Sequence, residues 1–446
     1  MKNEIAQNMV KGTAIEHVTI IDAENGLQQD MTVIFDADKI LQVLPANEAP
    51  KTTMSIDGEG KFLIPGLWDM HVHLTYDDRF TDIMPATFLA YGITSVRDTG
   101  GLLKNILPVV ARMRAPGAVA PRVFFSGPLL DGEHVVYDGN SRPEIGIRNE
   151  DVERAMQNVK ALKASGADFI KIYELVSPEV FAALVEQATA LNMPIASHVP
   201  LAMTAATAGP SVNSMEHLRN VELDCANNHE ALHQTRVKTL QEYIPGSGHD
   251  LRSSLHSLQR IPAVEALDET RCTEVLTALK STIQVPTLRL NALALTPAFE
   301  REDWREALQD MLPEVQSDWR APPSWFEKDI TKRETRFQKY SIEMVGRMHA
   351  QGVPIGAGTD TPIGMAIPGY SLHNELEFLV NAGLSPLEAL KSATLRPAEF
   401  LNLESQMGTI EVGKVADLVL LTANPLESIS NTRKISLVIS KGIPVE

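Results

Sequence analysis

Two histidines separated by one residue, His71 and His73, close the apolar run FLIPGLWDM over 62–70. Residues two apart on a strand project to the same side, so both imidazoles can aim at one centre. Imidazole is a common ligand for zinc and related divalent ions. Four further groups close short apolar stretches or lie inside them. Lys171 lies within DFIKIY (168–173), where an ammonium is costly unless paired or neutralised. It pairs with Asp168 or Glu174, or reaches solvent, or its pKa falls from about 10.4 on burial. In the last case the neutral amine can take up carbon dioxide as a carbamate, an anionic oxygen ligand able to bridge two ions. His198 ends MPIASH and His217 ends SVNSMEH; each is a metal ligand or a satisfied core histidine. Asp360 closes GVPIGAGTD. It is a ligand and general base, or a turn residue ahead of Thr361-Pro362. Tyr173, two residues past Lys171, faces the same side and binds a substrate carboxylate or packs in the core or at the rim. His373, in PGYSLHNEL, reads as a surface residue at a helix start.

These groups need strands that end together. The stretches 93–97, 122–126, 168–173, 194–198, 213–216, 283–287 and 353–358 read as short strands with helical patterns such as 151–165 and 178–192 between them. That alternation predicts a parallel sheet covered by helices. With the strand ending at His71-Val72-His73 the count suits a closed (β/α)8 barrel of the TIM type, whose chemistry sits at the strands' C-terminal ends. Both chain ends are β-rich, at 13–22, 31–44, 408–421 and 434–445, and predict a small β-sandwich domain. The expected division is 1–65 and 405–446 for the sandwich and 66–404 for the barrel. Helical, charge-rich insertions at 226–282 and 296–345 are expected as lids or as contacts in a homo-oligomer.

The chain's 446 residues, 44% hydrophobic and 22% charged, can build a large core. A formal charge of −17 argues against a nucleic-acid backbone as partner. Residues 1–11 lack the apolar run of a secretory leader, and no stretch reaches the roughly 18 apolar residues of a membrane span. A cytoplasmic protein is expected, with a mature exported form as the alternative. Cys225 and Cys272, the only cysteines, cannot form a disulfide framework, and their scarcity suggests a reducing compartment.

The ordered set of HxH, strand lysine, histidine, histidine and aspartate resembles the amidohydrolase superfamily. The segments IPGLWDMHVHL, AGLSPLEALKSATLRPAEFL and GTIEVGKVADLVLLTANPLESI resemble it as well. The IKI lysine and the DGEH segment ending at His134 are most similar to the imidazolonepropionase-related dipeptidase group, which includes Xaa-Pro dipeptidase-like and ochratoxinase-like enzymes. The resemblance implies two divalent ions, expected to be zinc. One would be held by His71, His73 and Asp360, the other by His198 and His217, with carboxylated Lys171 between them. It also implies His134 as a pocket histidine that polarises or holds the substrate. This chain departs at Glu133, where the group has glycine, and at His198-Val199-Pro200, where a second histidine or a tyrosine is more usual.

The expected activity is hydrolysis of an amide or peptide bond in a small dipeptide or N-acyl amino acid. A metal-activated hydroxide attacks, and Asp360 moves the proton from it to the leaving nitrogen. The alternative substrate on the same site is a cyclic amide, lactone, carbamate or other xenobiotic ester. A non-catalytic scaffold is the remote reading, and deamination is disfavoured because deaminases of this superfamily carry a His-x-x-Glu pair and MEHLRN supplies no glutamate at that spacing.

Overall fold

The structure, a computed structural model, describes residues 9–140, 142–243, 246–321 and 332–445. The two chain ends meet in one eight-stranded sheet. Its strands are β1 (Val10–Asp22), β2 (Gly26–Asp36), β3 (Lys39–Pro45), β4 (Thr52–Asp57) and β5 (Phe62–Pro65) from the N-terminal end. From the C-terminal end come Leu418–Leu421, Ile435–Ser440 and Ile443–Val445. The predicted strand 31–44 is divided between β2 and β3, because Ala37 adopts a φ of 48° and turns the chain. The expected sandwich is also corrected, since all eight strands share a single hydrogen-bonded ladder. The register breaks between Ile15 and Val18, where His17 has a φ of 56°. β1 thereby pairs with β2 on one edge and with β4 and then β5 on the other. Alternate residues Ile15, Val33, Phe35, Leu63, Leu418 and Ile439 fill this sheet's own core.

The remaining strands are parallel. β6 (Leu67–Val72), β7 (Ile93–Asp98) and β8 (Arg122–Phe125) form a three-stranded sheet. β9 (Leu129–Asp131), β10 (Gly146–Arg148), β11 (Ile170–Ile172), β12 (Ile195–Ser197), β13 (Ser214–Glu216) and β14 (Ile283–Val285) form a six-stranded one. No continuous ladder closes the two into a barrel. On one side the contact is a single backbone bond, from Asp168 N to Phe125 O at 2.9 Å. On the other, the predicted eighth strand at 353–358 is irregular and makes isolated parallel bridges, Gln284 to Ile355 and Val72 to Thr361. Gly358 shows how closely this segment is wedged in: a Cβ there would stand 2.7 Å from both the Cβ of His71 and Val285 Cγ1.

Helices cover the parallel strands as their end signals require. Asp151 and Ser177 cap Val152–Ala164 and Pro178–Ala190, the second with proline in its first turn. Ser385 and Glu388 complete a capping box on Pro386–Ser392. The first predicted insertion forms the helices His229–Glu242, Gly248–Glu265 and Glu269–Ala278. A disulfide between Cys225 and Cys272, both buried, joins the base of this excursion. The bridge runs against the reducing compartment suggested by cysteine scarcity, since such bonds persist in oxidising surroundings. The second insertion includes Glu302–Leu308, Pro313–Trp319 and Lys332–Ala350, while its part at 322–331 lies outside the described residues. No described helix is long and apolar enough to cross a membrane.

Candidate active site

The ends of the parallel strands bring His71, His73, Lys171, His198, His217 and Asp360 around one cavity of about 110 Å³. One potential ligand atom from each of His71, His73 and Asp360 lies within 4.8 Å of the others. Asp360 Oδ1 is 3.2 Å from His71 Nε2 and 3.1 Å from His73 Nε2. The ring centre of His217 lies 4.5 Å from that of His71 and 4.9 Å from that of His198. Strand alternation alone would not place all of these groups on one wall. His217 and Asp360 each take a φ of 62° just past a strand or bridge, which redirects their side chains.

All four imidazoles are held from behind through Nδ1. His71 meets Glu216 Oε2 at 2.7 Å, His73 meets the Gly100 carbonyl at 3.2 Å, and His198 meets Glu174 Oε1 at 2.7 Å. His217 meets Thr287 Oγ1 at 2.6 Å, and that hydroxyl donates to the Pro286 carbonyl, so it accepts from the ring. Each partner is an acceptor, which fixes the ring and turns each Nε2 toward the cavity, where those of His71 and His73 lie within hydrogen-bond distance of Asp360 Oδ1. Burial, with Lys171 adding repulsion, pushes His198 down to about 3. Burial likewise pushes His217 well below the usual range. Burial would raise Asp360, but His217 and the hydrogen bonds at His71 and His73 outweigh it and keep the carboxylate ionised. Ring nitrogens and an ionised carboxylate thus line one buried cavity, a donor set that suits a cation.

Lys171 is 1% exposed, and its Nζ has no hydrogen-bond partner. Burial lowers its pKa to about 8, against the pull of Glu216, whose Oε1 is 4.0 Å away. A buried amine without a partner is costly, and conversion to a carbamate would replace it with an anionic oxygen ligand. The donor set therefore fits divalent metal: neutral imidazoles, one carboxylate and an orphaned lysine nitrogen.

Several contributors escape strand-pattern reasoning. Glu216, next to His217 in the sequence, anchors His71 and is itself held by Arg97 Nη2 at 2.8 Å. Burial raises Glu216, but Arg97 and Lys171 more than offset this and hold it well below the usual carboxylate range. Arg289 donates to the carbonyls of Thr359 at 3.1 Å and Ile363 at 2.7 Å, bracing the turn that carries Asp360. Arg219 and Arg252 line the cavity, with Arg252 arriving from the helix Gly248–Glu265 of the first insertion. The only sequence signal for Glu216 was its place in MEH, and for Arg252 there was none.

Of the remaining expected residues, Tyr173 lines the cavity, its ring 4.4 Å from that of His198. His134 requires correction. It lines a neighbouring cavity of about 440 Å³ whose wall also includes Glu174, and packs edge-on against Tyr243 at 5.2 Å. Asp131 fixes this course by accepting from the backbone amides of Gly132, Val136 and Leu175, which turns the 131–136 segment away from the six converging groups. His373 is buried rather than at the surface, held between Thr432 Oγ1 at 2.8 Å and the Tyr91 carbonyl at 3.0 Å.

The chain is similar to known proteins along most of its length. Residues 62–445 match the amidohydrolase family. An imidazolonepropionase from Sphingopyxis alaskensis is 22% identical over 435 residues, which is 94% of this chain and 93% of the relative. Among solved structures, a Xaa-Pro dipeptidase with bound methionine superposes with a TM-score of 0.69 at 19% identity, covering 97% of this chain and 99% of that one. A putative prolidase from Bifidobacterium longum gives 0.67 at 25% identity, covering 98% and 95%. The chain belongs to the amidohydrolase family and is a hydrolase acting on C–N bonds.

Proposed function

We propose that the protein hydrolyses the amide or peptide bond of a small dipeptide or N-acyl amino acid at a two-ion centre, with zinc as the expected metal. The observation that carries this reading is the arrangement of four imidazoles, Lys171 and Asp360 around one buried cavity, each ring fixed from behind by an acceptor. His71, His73 and Asp360 would hold one ion and His198 and His217 the other, with carboxylated Lys171 shared between them. Divalent ions bound there supply Lewis acidity, lowering the pKa of water toward about 7 and polarising the scissile carbonyl.

The chain's own groups do the rest. Asp360, kept ionised by its neighbours, accepts the proton released as water attacks the carbonyl carbon. It then returns that proton to the leaving nitrogen as the C–N bond breaks. Arg289, through the Thr359 and Ile363 carbonyls, keeps this carboxylate in place during both transfers. Tyr173 forms a wall beside His198 and limits water access. In this reading the parallel strands and the bridging segment 355–361 act as a (β/α)8 barrel spanning about 66–404, and the sheet of the chain ends is a separate supporting unit. His134, facing the neighbouring cavity, has no part in the transfers.

A panel of dipeptides, N-acyl amino acids, cyclic amides and lactones, assayed with zinc-loaded protein before and after chelation, tests the proposal. The expected result is amide hydrolysis lost on chelation and restored by zinc, manganese or cobalt. Equal turnover in metal-free protein would overturn it.

A further inference from the structure

Of the four groups that hold the imidazoles from behind, three are fixed by the strands and their loops, and one is not. Glu216, behind His71, accepts from Arg97 Nη2 at 2.8 Å and from Ser214 Oγ at 2.7 Å, residues of β7 and β13. Gly100 and Thr287, behind His73 and His217, lie just past β7 and β14. Glu174, behind His198, lies just past β11, but its other hydrogen bonds come from the first insertion. Arg252 Nε donates to its Oε1 at 2.9 Å and His256 Nε2 to its Oε2 at 2.5 Å. Arg219 Nε, at 3.9 Å, is beyond hydrogen-bond distance. Arg252 and His256 are four residues apart on the helix Gly248–Glu265 and so share one face. His256 is buried, yet it is absent from the cavity lining and has no part in the proton transfers.

That helix is seated largely by directional contacts. Farther along it, Arg260 Nε faces Glu222 Oε1 at 3.6 Å. Gln259 Oε1 accepts from Arg236 Nε at 2.6 Å, and Arg236 Nη1 donates to Asn220 Oδ1 at 2.7 Å. The helix's apolar contacts form two small clusters apart from the main core, Leu251 and Leu255 with Leu201, and Ala263 with Leu223 and Ala226. The disulfide between Cys225 and Cys272 ties only the ends of the excursion, so the seating of the helix depends on these contacts. A unit with few buried apolar contacts opens at lower free energy than a core element.

Resting on the two-ion reading and going beyond it, we infer that the excursion governs the ion at His198 and His217. His256 is a positioning residue that, through Glu174, keeps His198 aimed at the metal, so this ion binds tightly only while the helix Gly248–Glu265 is seated. The ion at His71, His73 and Asp360 is independent of the excursion. Such coupling is reciprocal, so zinc beside His198 also stabilises the seated helix.

The test titrates zinc into metal-free protein against a chromogenic chelator and follows amide hydrogen exchange in parallel. In the wild type, zinc saturation should slow exchange in 248–265 by about 10- to 100-fold. His256→Leu should weaken one of the two zinc affinities by about the same 10- to 100-fold, leave the other unchanged and abolish the slowing. His256→Gln, which keeps an N–H donor there, should restore both readouts. Wild-type exchange that zinc leaves unchanged overturns the inference and needs no variant to fold. In His256→Leu, two unchanged affinities or an equal loss at both overturn it while leaving the two-ion reading intact. A loss equally large in His256→Gln would be one of packing and overturns it too. Wild-type protein that takes up fewer than two ions overturns the two-ion reading and this inference with it.

Discussion

The molecule has two very different hollows. A groove of about 760 Å³ runs beside the first residues of β8 and the C-terminal strands, lined by groups such as Met113, Val119, Phe124 and Ile443, with no carboxylate or imidazole among the described residues of its wall. The cavity at the strand ends is about 110 Å³ and is lined by four histidines, a lysine, an aspartate and two arginines. Capacity and apolar surface favour the first as a place to bind something, yet all the convergent chemistry is in the second. Its mark is ionisable groups in awkward surroundings, namely buried histidines pushed down in pKa at His198 and His217 and a lysine whose nitrogen has no hydrogen-bond partner. Buried polarity locates the reaction here, and volume does not.

The largest effect should separate the two hollows outright. Asp360→Asn keeps the side chain's shape but removes the proton acceptor, so kcat should fall by about 100- to 10,000-fold with little change in melting temperature. Turnover near that of the wild type would remove Asp360 from the mechanism. Glu216→Gln touches no substrate but weakens the hold on His71 Nδ1, so zinc affinity should fall about 10- to 100-fold, read by competition with a chromogenic chelator. Unchanged affinity would make Glu216 a packing residue only.

Acid should act through buried histidines and carboxylates, which the described wall of the groove lacks. His198 and His373 both sit at about 3 in the folded chain, against about 6.5 unfolded. The unfolded state therefore binds more protons between these values, and stability falls as pH drops from about 6.5 toward 3. Glu174, Glu216 and Asp360, all held well below their ordinary values, add losses of the same sign at the acid end. A melting temperature that stays flat from pH 7 to 4 in metal-free protein would contradict these placements. The smallest effect belongs to the groove. Ile443 is 60% exposed, and Ile443→Ser should alter kcat/KM by less than about twofold, as surface changes away from special features do. A large loss would show that the groove communicates with the strand ends.

Much of this was legible in the amino-acid order. The run before His71 and His73, the IKI lysine and the strand-like stretches before His198 and His217 set five of the six converging groups on or just past parallel strands, because strand periodicity is local. The eighth strand was not legible, since the segment 353–361 is held by single bridges and glycine-tight packing against β6 rather than by a ladder. Glu216 was hidden because strand alternation puts neighbours on opposite faces, and only the positive φ of His217 brings both inward. Arg252 lies far along the chain on an insertion helix with no local sign of its destination. His134 was misplaced for the opposite reason: a recognisable segment is there, but the backbone bonds to Asp131 steer it to the neighbouring cavity.

The account is tested most directly by stripping the protein of metal and titrating zinc back while zinc binding and amide hydrolysis are followed together. It predicts no hydrolysis at the start and a rise that levels off at about two ions per chain. A protein that binds no zinc at micromolar concentration, or hydrolyses its substrate fully without any, would contradict it.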